Sequence, residues 1–215
     1  MTYGLSVTND VNTISLDSEY ARLCVFHKSS YAANVGINFQ NVVTTQEPPL
    51  VFVRPQNNGS FIQLGVSLAG GAGAWTGATV TSGQAHAGDI FVAAFSSKPI
   101  APYGLRMWDS SGNQIFDSGT QAVVFTRAVQ NWTYTHSQQS GQGLIINWYA
   151  VQMDYQAGDY LMINNARMPM MAGNNESRTT GLRFDFAASL LRFSVTTVTN
   201  PTYFMLQAIF GKIAV

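Results

Sequence analysis

Short runs of β-branched and aromatic residues recur along the chain between clusters of Gly, Asn, Pro and Ser, a pattern of many short strands rather than helices. It predicts an all-β protein. The runs before residue 100 are 3–8, 13–16, 22–28, 50–54, 60–68 and 89–95. Those after it are 104–108, 114–116, 122–129, 144–151, 159–164, 182–186, 190–197 and 203–210. In Leu182-Arg183-Phe184-Asp185-Phe186 the apolar side chains fall on one face and the charges on the other, as a half-solvated sheet requires. The run 89–95 is apolar without a break from Ile90 to Phe95, which predicts a strand covered on both faces. Ala187-Ala188-Ser189-Leu190-Leu191 is too short for a stable helix and predicts at most one turn.

An internal repeat sets the organisation. Tyr3-Gly4-Leu5 recurs as Tyr103-Gly104-Leu105 and Asp17-Ser18 as Asp117-Ser118, all at an offset of one hundred residues and without a gap. Within the same register Asn9 falls opposite Asp109, Asn12 opposite Gly112 and Leu16 opposite Phe116. Each copy reads as a strand, a tight turn, a second strand, an Asp-Ser corner and a third strand, a β-meander. Asp17 and Asp117 are corner residues that bond backbone amides. The expected organisation is two related β-sandwich-like domains from an internal duplication, 1–100 and 101–215. Pro99 and Pro102 would stiffen the linker between them.

Composition narrows the classes. Hydrophobic residues make up 46% of the chain, enough for a core. Charged residues make up only 10%, against about 25% in ordinary globular proteins, so the surface is rich in neutral polar groups, as interface centres are. Eleven basic and eleven acidic residues balance, with no run of either sign, which argues against nucleic-acid binding. No apolar run approaches the length of a membrane helix, and the N-terminal residues lack the pattern of a secretion signal. A single cysteine, Cys24, suits folding in a reducing cytoplasm.

Candidate chemistry is sparse. His27, His86 and His136 stand far apart, without the spacing of short metal motifs, and read as structural. No cofactor fingerprint is present; Gly70-Gly71-Ala72-Gly73 lacks the lysine of a phosphate loop and reads as a flexible loop. Trp75 beside it is either an interface anchor or a plug in the core. Trp132, Tyr134, Trp148 and Tyr149, next to Asn131 and Asn147, are either an aromatic platform for sugars or sandwich core. Met168, Met170 and Met171 form an apolar stretch in a polar loop, a contact for a neighbouring subunit or a host surface unless buried beneath their own sheet.

Tyr3-Gly4-Leu5 through Asp17-Ser18, and above all Tyr103-Gly104-Leu105, Asp109-Ser110-Ser111-Gly112 and Asp117-Ser118, resemble a family of small tail-associated proteins of tailed bacteriophages. The resemblance implies a virion structural protein of the tail tip, baseplate or fibre, made in the bacterial cytoplasm and contributing to assembly and host adsorption. It implies other phage tail proteins as partners, a homo-oligomer such as a trimer, and a host surface glycan or protein as receptor. It names no catalytic residue, cofactor or metal. A second reading is a lectin-like, carbohydrate-binding module working through Trp132, Tyr134, Trp148 and Tyr149. A third is a glycan-degrading enzyme, for which Asp154, Asp159 and Asp185 are the scattered acids available.

Overall fold

The computed structural model describes residues 6–8, 10, 14–17, 21–140, 143–171, 177–197 and 206–214. Among them are nineteen strands and no helix, so the chain is all-β.

The strands of the two halves pair in the same order. Before residue 100, β3 (Leu23–Ala32), β9 (Ala87–Phe95) and β5 (Leu50–Pro55) lie side by side; after it, β12 (Val123–Val129), β19 (Ala208–Ile213) and β15 (Tyr160–Met162) do so. β5 pairs with β15, Leu161 opposite Val53 and Met162 opposite Phe52, which joins the two trios into one six-stranded antiparallel sheet. Each half also supplies a covering trio: β4 (Gly36–Val43), β8 (Ala74–Thr81) and β7 (Gly65–Gly71), then β14 (Leu144–Gln152), β18 (Leu190–Thr197) and β17 (Ser177–Asp185). At its edges the second of these gains β13 (Thr133–Ser140), β16 (Pro169–Met171) and, from the first half, β6 (Phe61–Gln63). The halves are therefore fused through a shared sheet, not strung on a linker near residue 100.

Alternation along each strand sorts the faces of the central sheet. Val51, Val53, Ile90, Val92, Leu161 and Phe210 face the covering sheets and form one cluster with Val80, Leu182, Phe184 and Phe193. Leu50, Phe52, Phe91, Ala93, Tyr160 and Met162 face the other way, into a second cluster. Both faces are dry, which is why Ile90 to Ala94 are continuously apolar and buried.

The edge strands of the central sheet meet at one end. Cys24 makes an antiparallel bridge to Ala122, and the Val25 N–H donates to the Gln121 carbonyl at 2.9 Å. Register shifts between Val25 and His27 in β3, and between Phe125 and Arg127 in β12, mark bulges that bend the strands towards each other. The second cluster thus fills a closed, barrel-like sheet. Phe52 and Phe91 stack at 4.6 Å, and Tyr160 meets Phe91 edge-on at 4.8 Å. Gly211 makes room for them, since a Cβ there would stand 3.1 Å from the Phe52 ring and 3.3 Å from Val123.

Several expectations change. The run 60–68 is two strands: β6 pairs with β17, and β7 pairs with β8. The glycine-rich stretch is the tight β7–β8 turn rather than a flexible loop. Gly70 (φ 93°) and Gly73 (φ 80°) take a conformation that side chains resist, and a Cβ on Gly70 would sit 2.1 Å from the Ala74 carbonyl oxygen. The third strand of each supposed meander, β3 or β12, leaves its hairpin and enters the central sheet. The segment 187–191 holds a turn before β18, with the Ala188 N–H donating to Asp185 at 3.0 Å.

Phe91→Ala removes a fully buried ring from the barrel filling. It is expected to destabilise the protein by about 3–5 kcal/mol, read as a lower urea midpoint. A loss below about 1 kcal/mol would show that the filling is not close-packed.

Candidate functional site

Two surfaces present side chains that the core does not use. The first is a hairpin. β10 (Arg106–Trp108) and β11 (Gln114–Asp117) pair Arg106 with Asp117, Met107 with Phe116 and Trp108 with Gln114, and the register shifts between Met107 and Trp108. β1 (Ser6–Thr8) and β2 (Ile14–Asp17) pair Ser6 with Asp17, Val7 with Leu16 and Thr8 with Ile14, with the shift at the corresponding step. Every pair in one hairpin is the other's with one hundred added, so the sequence repeat marks one hairpin geometry that occurs twice. Tyr3, Gly4, Leu5 and Ser18 lie outside the described residues.

In the second hairpin the motif residues have visible tasks. Asp109 accepts from the backbone N–H groups of Ser111 and Asn113 at 2.9 and 2.8 Å, and Gly112 completes the turn at φ 81°. Asp117 is buried and accepts from Arg106 Nε at 2.7 Å and from the N–H groups of Gly119, Ala101 and Ile100 at 2.8, 3.2 and 3.3 Å. The Arg106 bond, then the amides, hold its pKa down at about 2. Arg106 also donates to the Ala101 carbonyl, and Thr120 Oγ1 donates to that of Lys98. The segment read as a linker is thus a strap pinned to the corner. Beyond the strap Tyr103 is 87% exposed, Trp108 54% and Leu105 49%, around a cavity of about 350 Å³.

The second surface is the outer face of the β14–β18–β17 sheet. Tyr149, Leu182, Phe184, Leu191 and Phe193 point into the core, so Trp148, Arg183, Asp185, Arg192 and Ser194 point out. His136 on β13 lies parallel to Trp148 at 6.1 Å, and the Arg183 guanidinium lies 4.6 Å over the Trp148 ring and 5.7 Å over Phe61. Arg183 donates to Ser194 Oγ and, at 3.0 Å, to Gln63 Oε1; Arg192 pairs with Asp185 at 2.7 Å. Burial, and then the nearby Arg167, lower the Arg183 pKa to about 10, so it remains a cation at neutral pH. Phe61, His136, Gln138, Trp148, Asp185 and Arg192 line an open cavity of about 310 Å³.

The residues singled out in the sequence do not form one platform. Trp148 lies on this outer face, whereas its neighbour Tyr149 is buried in the core. Trp132 packs against the core and donates its indole N–H to the Leu206 carbonyl at 2.6 Å. Tyr134, half exposed, lies edge-on to Tyr149 rather than beside Trp148. Trp75 packs against Cys24, Phe26, Val43 and Ala94 and donates to the Thr45 carbonyl at 3.0 Å, which makes it a core plug. Met168 also packs against the core, while Met170 and Met171 belong to the edge strand β16, with side chains outside the described residues. Sequence reasoning missed Phe61, Arg183, Arg192 and Gln138, because pairing across the sheet assembles them. It missed Tyr103 and Trp108 as exposed groups, although both stand inside the repeat it had found.

The remaining candidates make local contacts. Asp159 is buried and accepts from Thr126 Oγ1 at 2.9 Å, and Asp154 stands 3.7 Å from Arg127. His27 and His86 are buried, and burial lowers both pKa values, that of His27 aided by Lys98. His86 Nδ1 lies 3.1 Å from the Tyr31 hydroxyl, and its Nε2 has no partner. No cluster of three or more His, Cys, Asp or Glu able to hold a metal ion occurs among the described residues. No protein-family model, curated protein or solved structure matches this chain.

Acid stability should fall in two separable windows. His86 has a lowered folded pKa, so its contribution is present above the unfolded value of about 6.5 and is lost as pH falls below it. His86→Gln should flatten the decline in melting temperature between pH 7 and 5; an unchanged slope would remove His86 as its source. Asp117 also has a depressed pKa, so its contribution is present above about pH 4 and is lost as pH falls towards 2. Asp117→Asn should lower the melting temperature at pH 7 by more than about 5 °C and erase part of the loss between pH 4 and 2. Wild-type melting at both pH values would refute the brace.

Proposed function

We propose that this chain is a structural protein of a phage tail tip, baseplate or fibre, made in the bacterial cytoplasm and built into the virion, where it serves assembly and host adsorption. The observation that carries the reading is the braced hairpin. The Tyr-Gly-Leu and Asp-Ser pattern that resembles tail-associated proteins falls on an element whose corner is locked by Asp117 and Arg106. Its large side chains, Tyr103, Leu105 and Trp108, remain in water. Exposed apolar groups on a rigid support suit a permanent contact with a neighbouring subunit, another tail protein or a further copy of the chain. The low charge of the whole sequence favours the same use. On this reading the protein works by binding geometry and no residue performs catalysis.

Mass spectrometry of purified particles of the phage that encodes the chain should find it as a stoichiometric component. Antibodies against the purified protein should decorate one end of the tail in electron micrographs. Absence from particles, or labelling of the capsid alone, would overturn the proposal. Replacing both Tyr103 and Trp108 by Ala should yield a folded protein that fails to enter particles.

A further inference from the structure

The two covering sheets have the same strand order, β4–β8–β7 and β14–β18–β17, but different outer faces. In the first, Ile37, Val66, Leu68, Ala78 and Val80 face the core, which leaves Asn38, Ser67, Gly77 and Thr79 outside. A fold that needs only small neutral groups there does not require Trp148, Arg183 and Arg192 in the second. Their presence calls for another explanation.

The chemistry of the second face is specific. Phe61, 39% exposed, offers an apolar ring, and Trp148, 9% exposed beneath His136 and Arg183, only an edge, to an open cavity of about 310 Å³, near the lower end of the roughly 300–1,000 Å³ of ligand sites. Gln138, Asp185 and Arg192 at its border are planar, two-pronged hydrogen-bonding groups that match pairs of adjacent hydroxyls. Arg192 is neutralised by Asp185 at 2.7 Å. Arg183 is half-buried and bonded to Ser194 and Gln63, and no ion pair with a carboxylate holds it among the described residues. A Cβ on Gly181 would stand 3.3 Å from Ser194 Oγ and 3.4 Å from Arg183 Nη1. The face therefore joins aromatic rings and hydroxyl-matching groups around the cavity with a cation beside it, Arg183, near which Arg167 also stands.

We propose that this face binds an acidic saccharide, its apolar C–H surface against Phe61 and Trp148, its hydroxyls on Gln138, Asp185 and Arg192, and its carboxylate drawn to Arg183. So few cations beside rings and amides suit a carboxylate on a sugar better than the phosphate row of a nucleic acid. This deepens the adsorption role proposed above but is tested without particles.

Calorimetric titration of the purified chain with oligogalacturonate, oligoglucuronate and α2,8-linked oligosialate, beside neutral maltotetraose, is the experiment. At least one acidic oligosaccharide should bind about tenfold or more tightly than the neutral one, with an affinity that falls as salt rises. Phe61→Ala should weaken that binding by about tenfold at an unchanged melting temperature. Arg183→Gln should abolish the preference for acid, and Gln138→Ala, on the exposed edge strand, is a second variant that leaves the core alone. No binding of any of the three acids, or binding that neither Phe61→Ala nor Gln138→Ala alters, would overturn the proposal. Such a failure would leave a place in the tail standing, and a chain absent from particles could still bind the sugar.

Discussion

The pairing of β5 with β15 is the constraint from which the rest of the architecture follows. Leu161 lies opposite Val53 and Met162 opposite Phe52, and on either side of that seam the strands repeat in mirrored order. Neither half has a complete sheet without the other. Phe52 and Phe91 come from the first half, and Tyr160, Met162, Val123 and Ile213, which pack against them, come from the second. Burial of these rings thus depends on a long-range pairing whose entropic cost must be met before any of the filling becomes dry.

The closure positions both surfaces. Cys24 and Ala122, which bridge the sheet's two edges, stand just after the two hairpins in sequence. The hairpins therefore enter the structure at the point where the edge strands meet. The Asp117 corner fixes the second hairpin to residues 100 and 101, so its exposed rings ride on a braced element. The outer face around Trp148 instead depends on the core behind it. Tyr149, Phe184 and Phe193 anchor one side of each strand, and the alternation that buries them sends Trp148, Arg183, Arg192 and Ser194 outward.

Much of the fold could be read from the sequence wherever burial left a periodic mark. The runs 50–54, 89–95, 144–151 and 190–197 fall in strands, as does 22–28 from Leu23 on, because each carries the apolar residues that the core demands. Strands were missed where that demand is weak. β13 is Thr-Tyr-Thr-His-Ser-Gln-Gln-Ser, exposed along nearly its whole length, and is held in the sheet by backbone pairing with β14. β8 begins beside glycines that suggested a loop, although Ala78 and Val80 alternate with Thr79 and Thr81. In β4 the alternation of Ile37 and Phe39 was present but diluted by Gln and Asn. The corner role of Asp117 was visible because its bonds are local. The Trp148 face was half visible: the tryptophan stood out, but Phe61 reaches it through the pairing of β6 with β17, and Arg183 through that of β17 with β18 and of β18 with β14, which join distant parts of the chain.

The strap at residues 98–101 crosses between two halves that hold together through strands rather than through it. The covalent link there is therefore not what holds the halves side by side. A chain opened at that point would fall into two pieces with matching unpaired edges, β5 on one and β15 on the other, along with two halves of one barrel filling. Such pieces are complementary fragments: each alone displays a sticky, aggregation-prone edge, and together they restore a single object. The two halves thus share one sheet and one filling.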